Sequence, residues 1–293
     1  MTRFCFVILL SVLTFQCKQQ AIENATDDFL PPQKLSKLES KKLEEISGIV
    51  SSMNNPGNFW GLNDSGNAAK VFLFDQELKI KFTCTLDKLV NRDWEDIAIG
   101  PGPDTTKNYL YIAEIGDNRG KYPLKYIYRF EEPKLQAGSA KALITDFDTL
   151  IFELPDKPKD TETLLLDPVT KDLFVFSKRE EPVWIYQLKS PTFSSDTVTA
   201  TKLYAIPFTQ IVGGDVSPDG KKVLLKNYEH VYYWDNPTGK PLVELFKDKP
   251  FEVPYEIEPQ GESITWDLQG KSFYTLSEKN VGKDTFLFYY QAK

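Results

Sequence analysis

The chain has one histidine, His230, and three cysteines, Cys5, Cys17 and Cys84, among its 293 residues. A single imidazole excludes zinc sites built on several histidines, and leaves any Ser-His-Asp or Cys-His arrangement one candidate base. Cys5 lies in the N-terminal apolar run and Cys17 at its end, so Cys84 would stand alone in the processed chain, with no disulfide partner. It sits in the alternating run KIKFTCTL, where a small buried apolar side chain is the simplest role. Long basic blocks are missing too. At a net charge of -7, the chain lacks the clustered Lys and Arg that displace counterions from a phosphate backbone, which excludes nucleic acid as a partner.

Apolar length is short as well. MTRFCFVILLSVLTFQCKQQ carries one early arginine and an apolar run from Phe4 to Phe15, about a dozen residues where a spanning helix takes about 20. The pattern predicts a signal peptide over 1–17 rather than a membrane span. Cys17 resembles the acylated cysteine of bacterial lipoproteins, with Gln16 where a small residue is usual. Residues 18–33 are polar and contain Pro31-Pro32, which reads as a flexible tether carrying a domain over 34–293. The chain is thus expected to be exported, lipid-anchored to a membrane of the bacterial cell envelope, and monomeric.

Apolar material is plentiful beyond that point, with 20 Phe and 14 Tyr, so a packed core is expected rather than disorder. The sequence also repeats. EISGIVSS from Glu45, EDIAIGPG from Glu95, ETLLLDPV from Glu162, VGGDVSPDG from Val212 and ESITWDLQG from Glu262 recur at intervals of roughly 50 residues, the one from Glu95 to Glu162 being longer. Each is followed by a second apolar run (NFWGLND, YLYIAEIGD, DLFVFSK, KVLLKNY, SFYTLSE) and then an aromatic alternating run (KVFLFD, KYIYRFE, VWIYQL, HVYYWD, TFLFYY). Short runs of this composition, separated by turns such as DPVTKD, SPDGKK and DLQGKS, are strands joined by hairpins.

Fourth runs follow in four repeats: KIKFTCTL, TDFDTLIFEL, TATKLYAIP and PLVELF. Four antiparallel strands at this period predict an all-β fold, a single β-propeller of five blades. A sixth blade is the alternative in the longer interval, where EEPKLQAGSAKA otherwise reads as a loop. The last repeat lacks a fourth run, and the segment from Lys34 to Leu43 is expected to supply it and close the ring. The tryptophans at 60, 94, 184, 234 and 266 fall once per repeat, as interblade packing requires, with Trp94 also a candidate for ligand stacking.

SPDGKKVLL is similar to the blade turn of periplasmic TolB-type propellers, and ISGI, WEDIA, GDNR and TETLLLDP in that order resemble bacterial propellers of the SdiA-regulated and phytase-like-esterase kind. The resemblance covers the chain from about Glu45 onward. It implies export and, as in related lactonases and phytases, calcium in or near the central channel.

First strands line the channel of a propeller, so Glu45, Glu95, Glu162 and Glu262 are expected to converge on it, with Val212 breaking the ring. Asp93 and Asp96 have no counterparts in this alignment. The ends of the second strands should add Asn63 and Asp64, Glu114 with Asp117 and Asn118, Lys178, Lys226 and Glu278. Crowded carboxylates repel by about 1 to 4 kcal/mol per pair, so the ring needs a bound cation, protein counter-charge or shared protons. Ca²⁺, which takes oxygen ligands, would use Glu45, Glu95, Glu114, Glu162, Glu262 and Glu278. A polar ligand would meet Asn63, Asp64, Trp94, Asp117, Asn118, Arg119, Lys178 and Lys226. No nucleophile-base pair is evident. The expected function is a binding or scaffold module for a polar small molecule or envelope protein; the alternative is a calcium-dependent hydrolase of phosphoesters, esters or lactones, and a sugar lyase or glycosidase is a third class.

Overall fold

A computed structural model describes residues 25–293. The expected signal peptide, Cys17 and the start of the tether lie outside the described residues.

The chain is an all-β propeller of five blades. It opens with β1 (Gln33–Lys37). The first blade holds β2 (Ile46–Ser51), β3 (Asn58–Asn63), β4 (Lys70–Asp75) and β5 (Ile80–Leu86). The second holds β6 (Trp94–Pro101), β7 (Asn108–Glu114), β8 (Lys125–Glu131) and, after β9 (Lys141–Ile144), β10 (Asp148–Glu153). The third is β11 (Thr161–Leu166), β12 (Leu173–Ser177), β13 (Val183–Leu188) and, after β14 (Thr197–Thr199), β15 (Thr201–Ile206). The fourth is β16 (Gly213–Val216), β17 (Lys222–Lys226), β18 (Val231–Asp235) and β19 (Phe251–Val253), with helix α1 (Leu242–Leu245) before β19. The fifth is β20 (Gly261–Trp266), β21 (Phe273–Ser277) and β22 (Phe286–Tyr290), completed by β1 running antiparallel to β22. The N-terminal strand therefore closes the ring, as the missing fourth run predicts.

Hydrophobic burial is organised by seam rather than around one centre. Trp60 and Ile97 belong to the cluster between the first and second blades, Leu164 and Tyr111 to the next, Phe176 and Trp234 to the third, Leu224 and Trp266 to the fourth, and Leu276 with Phe74 closes the circle. Four tryptophans are fully buried in these seams, each removing on the order of 200 Å² from water and gaining about 5 kcal/mol before entropy is counted. The exception, Trp184, lies partly exposed under Lys202 Nζ, 3.5 Å from the ring.

Two sequence expectations need correction at the blade edges. EEPKLQAGSAKA does not run as a plain loop: the chain from the second blade reaches back and lays β9 parallel to β5, on the outer edge of the first. β14 does the same from the third blade onto β10. PLVELF is not the fourth strand of its blade but contains α1, which covers the third blade through Val243 and Tyr204. The run lacks strand alternation and its Leu and Glu favour helix, while the much shorter FEV forms the strand.

The segment before β1 is also fixed. Thr26 N–H bonds to Glu252 O on the outer edge of the fourth blade, and Phe29 bridges Ala292 and packs on Tyr233, Trp266 and Phe273. The C-terminal part of the stretch read as tether thus belongs to the body of the domain. β1 is an outer edge strand, and Lys34, Lys37 and a bulge beside Leu35 blunt it against edge-to-edge pairing.

Candidate acidic centre at the channel mouth

Four innermost strands carry a bulge one residue into the strand, and in three of them it holds a glutamate. Trp94 pairs with Glu114 and Asp96 with Ala113, so Glu95 is left over between them; Glu162 and Glu262 are left over in the same way. A bulged residue has no ladder partner and its side chain is re-aimed, here to the face from which every innermost strand starts. The first blade has the same bulge, occupied by Ser47. Glu45, expected in the ring, is two residues earlier and exposed. Aligning on the shared glutamate hid this shift, because the bulge and not the strand start defines the position. The fourth blade has no bulge: Gly213 pairs directly with Lys226.

One backbone bond repeats in four blades and fixes two further tiers. Asp64, Gly116, Lys178 and Glu278 each donate N–H to the carbonyl of Glu45, Asp93, Asp160 and Gln260, respectively. Asp93 therefore does have counterparts, legible in hindsight as the D-x-E of DWE and DTE. Asp96 also has a partner in kind. Its carboxylate accepts from Leu164 N–H of the next blade at 2.9 Å, and Asp215 accepts from Trp266 N–H of its next blade at 2.8 Å. Both close open edges of innermost strands inside the channel. Burial, only partly offset by these bonds, pushes Asp215 up to about 7.

Gly116 is what lets the acids crowd. At the position where Asp64, Lys178 and Glu278 project, the second blade has no side chain, and a Cβ there would collide with Glu95 Oε1 and lie 2.7 Å from Asp93 Oδ2. Carboxylate oxygens of Asp64, Asp93 and Glu95 all lie within 4.8 Å of one another, and so do those of Glu95, Asp160 and Glu162. Glu95 is shared by both groups. Burial, then the charges of Glu162, Asp64, Glu262 and Asp93, push Glu95 well above the ordinary carboxylate range. Burial and then Asp64 and Asp160 raise Asp93 to about 6, and burial with Glu262, Asp64, Glu45 and Glu162 raises Glu278 to about 9.

Counter-charge is supplied unevenly. Lys178 Nζ is 2.9 Å from Glu162 and 3.9 Å from Glu262, and Arg179 Nε is 2.7 Å from Asp160. These glutamates hold Lys178 charged against its own burial; burial still lifts Glu162 to about 8. Tyr228, absent from the sequence reading, donates its hydroxyl to Glu262 at 2.7 Å. Among the described residues no lysine or arginine nitrogen lies within 4.0 Å of the carboxylates of Asp64, Asp93 or Glu95. Glu278 takes Gln260 Nε2 at 2.6 Å on one oxygen, and its other oxygen is buried without a partner.

Several expected site residues are elsewhere. Glu114, Asn63 and Lys226 occupy the last paired position of their strands and are spent in the wall. Glu114 accepts from Trp94 Nε1 at 3.1 Å and Tyr128 OH at 3.3 Å, with Arg92 Nε at 3.6 Å. Trp94 is fully buried by that contact and presents no face for stacking. Lys226 is buried with Tyr255 OH at 3.0 Å and Glu258 at 3.4 Å, a local pair that stands where the ring lacks its fifth glutamate. Asp117 caps its own loop through Lys121 and Tyr122 N–H, while Asn118 and Arg119 are exposed on that loop, Asn118 bonded to Arg179. His230 pairs with Glu252 on the fourth blade, so the single imidazole serves no nucleophile at the mouth.

Among the described residues the arrangement is a hard-oxygen donor set without imidazole or thiol, and its Asp64, Asp93 and Glu95 have no protein cation within 4.0 Å. Such a set suits Ca²⁺, which favours several carboxylate oxygens, and Asp64, Asp93, Glu95, Asp160 and Glu162 are the residues placed to hold it. No protein-family profile matches this chain, and no curated protein matches it.

Proposed function

We propose that the chain is an exported, lipid-anchored propeller of the cell envelope that works as a binding module, its acidic channel mouth holding calcium and presenting it to a polar ligand or partner protein. The observation that carries the reading is the Asp64, Asp93 and Glu95 group, whose oxygens lie within 4.8 Å of one another and, among the described residues, have no lysine or arginine nitrogen within 4.0 Å. Left alone, such a group must hold protons to relieve its repulsion; a divalent ion relieves it at neutral pH and leaves outward positions for a ligand's oxygens. Lys178, Tyr228 and Glu262 form the opposite side of the mouth and orient what enters by hydrogen bonds. Export and anchoring rest on the apolar run and Cys17 of the sequence and on the resemblance to exported propellers.

Calorimetric titration of the purified domain with Ca²⁺ tests the reading, using Glu95→Gln as control. Saturable binding that Glu95→Gln weakens by tenfold or more supports it. Equal heats in both proteins would remove the mouth as the calcium site.

A further inference from the structure

We infer that the first blade carries a second binding site, separate from the acidic mouth, for a small hydroxylated phosphate of the glycerol-phosphate type. A pocket of about 220 Å³ lies between Lys41 and Lys42 and the β3, β4 and β5 strands of that blade, with Lys70 also among its lining residues. Among the described residues none of the three lysines has a carboxylate within 4.0 Å. In a protein of net charge -7, three such cations about one cavity form a local positive field that selects an anion.

Asn63 supplies the second requirement. Its Nδ2 donates to Lys42 O at 3.0 Å and to Asn67 Oδ1 at 3.3 Å, and Asn67 in turn donates its own amide to the Glu45 carboxylate. That carboxylate fixes Asn67, and Asn67 fixes Asn63, so the amide cannot be turned round without setting oxygen against oxygen. Asn63 Oδ1 is left buried with no donor, on a residue 6% exposed that lines the pocket. An orphan buried acceptor costs about 1 to 3 kcal/mol unless a donor reaches it. An anion such as sulfate has no hydrogen to give; a hydroxyl beside a phosphate does. Thr83 adds a hydroxyl that donates or accepts, and Phe72 an apolar wall for carbon-bound hydrogens. The volume equals about seven waters at 30 Å³ each, enough for a glycerol phosphate unit. That chemistry comes either as a free metabolite or as the headgroup of a lipid such as phosphatidylglycerol.

Titration of the domain with glycerol 3-phosphate, glycerol and sulfate, followed by amide chemical shifts in calcium-free buffer, tests the site independently of the mouth. Glycerol 3-phosphate is expected to saturate at least tenfold below either glycerol or sulfate, and the surface change Lys70→Gln, checked for unaltered unfolding, to weaken it about tenfold. Thr83→Val should weaken it less. Co-sedimentation with phosphatidylglycerol vesicles that Lys70→Gln abolishes assigns the lipid source; binding of the small molecule alone assigns the free one. Failure of glycerol 3-phosphate to bind, equal binding of sulfate, or an affinity unmoved by Lys41→Gln with Lys70→Gln each overturns the proposal.

Discussion

Lys178 Nζ stands 2.9 Å from Glu162, and no other lysine or arginine among the described residues lies within 4.0 Å of that carboxylate. Removing one partner of a buried pair strands the other, at a cost of about 3 to 5 kcal/mol. At pH 9, where Glu162 is ionised, Lys178→Met is therefore expected to lower stability by that order in chelator, read as a fall in the urea midpoint. Calcium should restore part of the loss, since the proposed site includes the Glu162 carboxylate; a midpoint unmoved by the substitution would show that the pair is not formed.

The mouth predicts an inverted pH profile. Asp93 at about 6, Asp215 at about 7, Glu162 at about 8 and Glu278 at about 9 all lie above their ordinary values of 3.8 for Asp and 4.5 for Glu. Groups with raised folded values bind more protons in the folded state, so their stabilisation is complete below about pH 4 and is lost as pH rises toward 9. In chelator the Tm is expected to fall steadily from pH 5 to pH 9. Calcium competes with those protons, so its stabilisation should be largest at pH 9, reaching about 2.7 kcal/mol at a hundredfold excess over Kd. A Tm that climbs across this range in chelator contradicts the burial of the acids.

Gly116 offers a sharper probe than any acid. An added methyl enters the space now held by Glu95 Oε1 and the Asp93 carboxylate. Gly116→Ala is expected to weaken calcium by tenfold or more in a titration while the far-ultraviolet spectrum stays that of the parent. Unchanged affinity would show that the two carboxylates can part without leaving the site.

Ring closure is testable at Phe29, buried on Tyr233, Trp266 and Phe273. Phe29→Ala is expected to cost about 3 to 5 kcal/mol, measured by urea unfolding. Equal midpoints for parent and Phe29→Ala would mean that the N-terminal segment adds nothing to closure.

Blade number and closure are legible in the sequence because each strand is a short aromatic alternation bounded by turn residues, and that pattern repeats. Glu95, Glu162 and Glu262 are legible for the same reason. Glu45 and Glu114 mislead because side chains alternate at every residue along a strand, so a shift of one or two positions, introduced by a bulge or by the extra residue Ile115, trades the mouth for the wall or the solvent. β9 and β14 are hidden because Lys141–Ile144 and Thr197–Thr199 are only four and three residues long and exposed or half-buried, too short for an alternation to show. Asp160 is marked only by the D-x-E it shares with Asp93, and Tyr228 required the three-dimensional ring, since nothing in NYEH marks it.

β1 enters the fold beside Ala292 and runs along β22 toward the mouth. Tension applied from the N-terminal side of β1 would load its ladder bonds to β22 in shear, all at once, rather than peeling them singly. Phe29 and the Thr26 bond to Glu252 lie ahead of that ladder and would take the load first. The strand that would then bear the force is also the one that shuts the ring, so mechanical resistance and circular integrity would fail together.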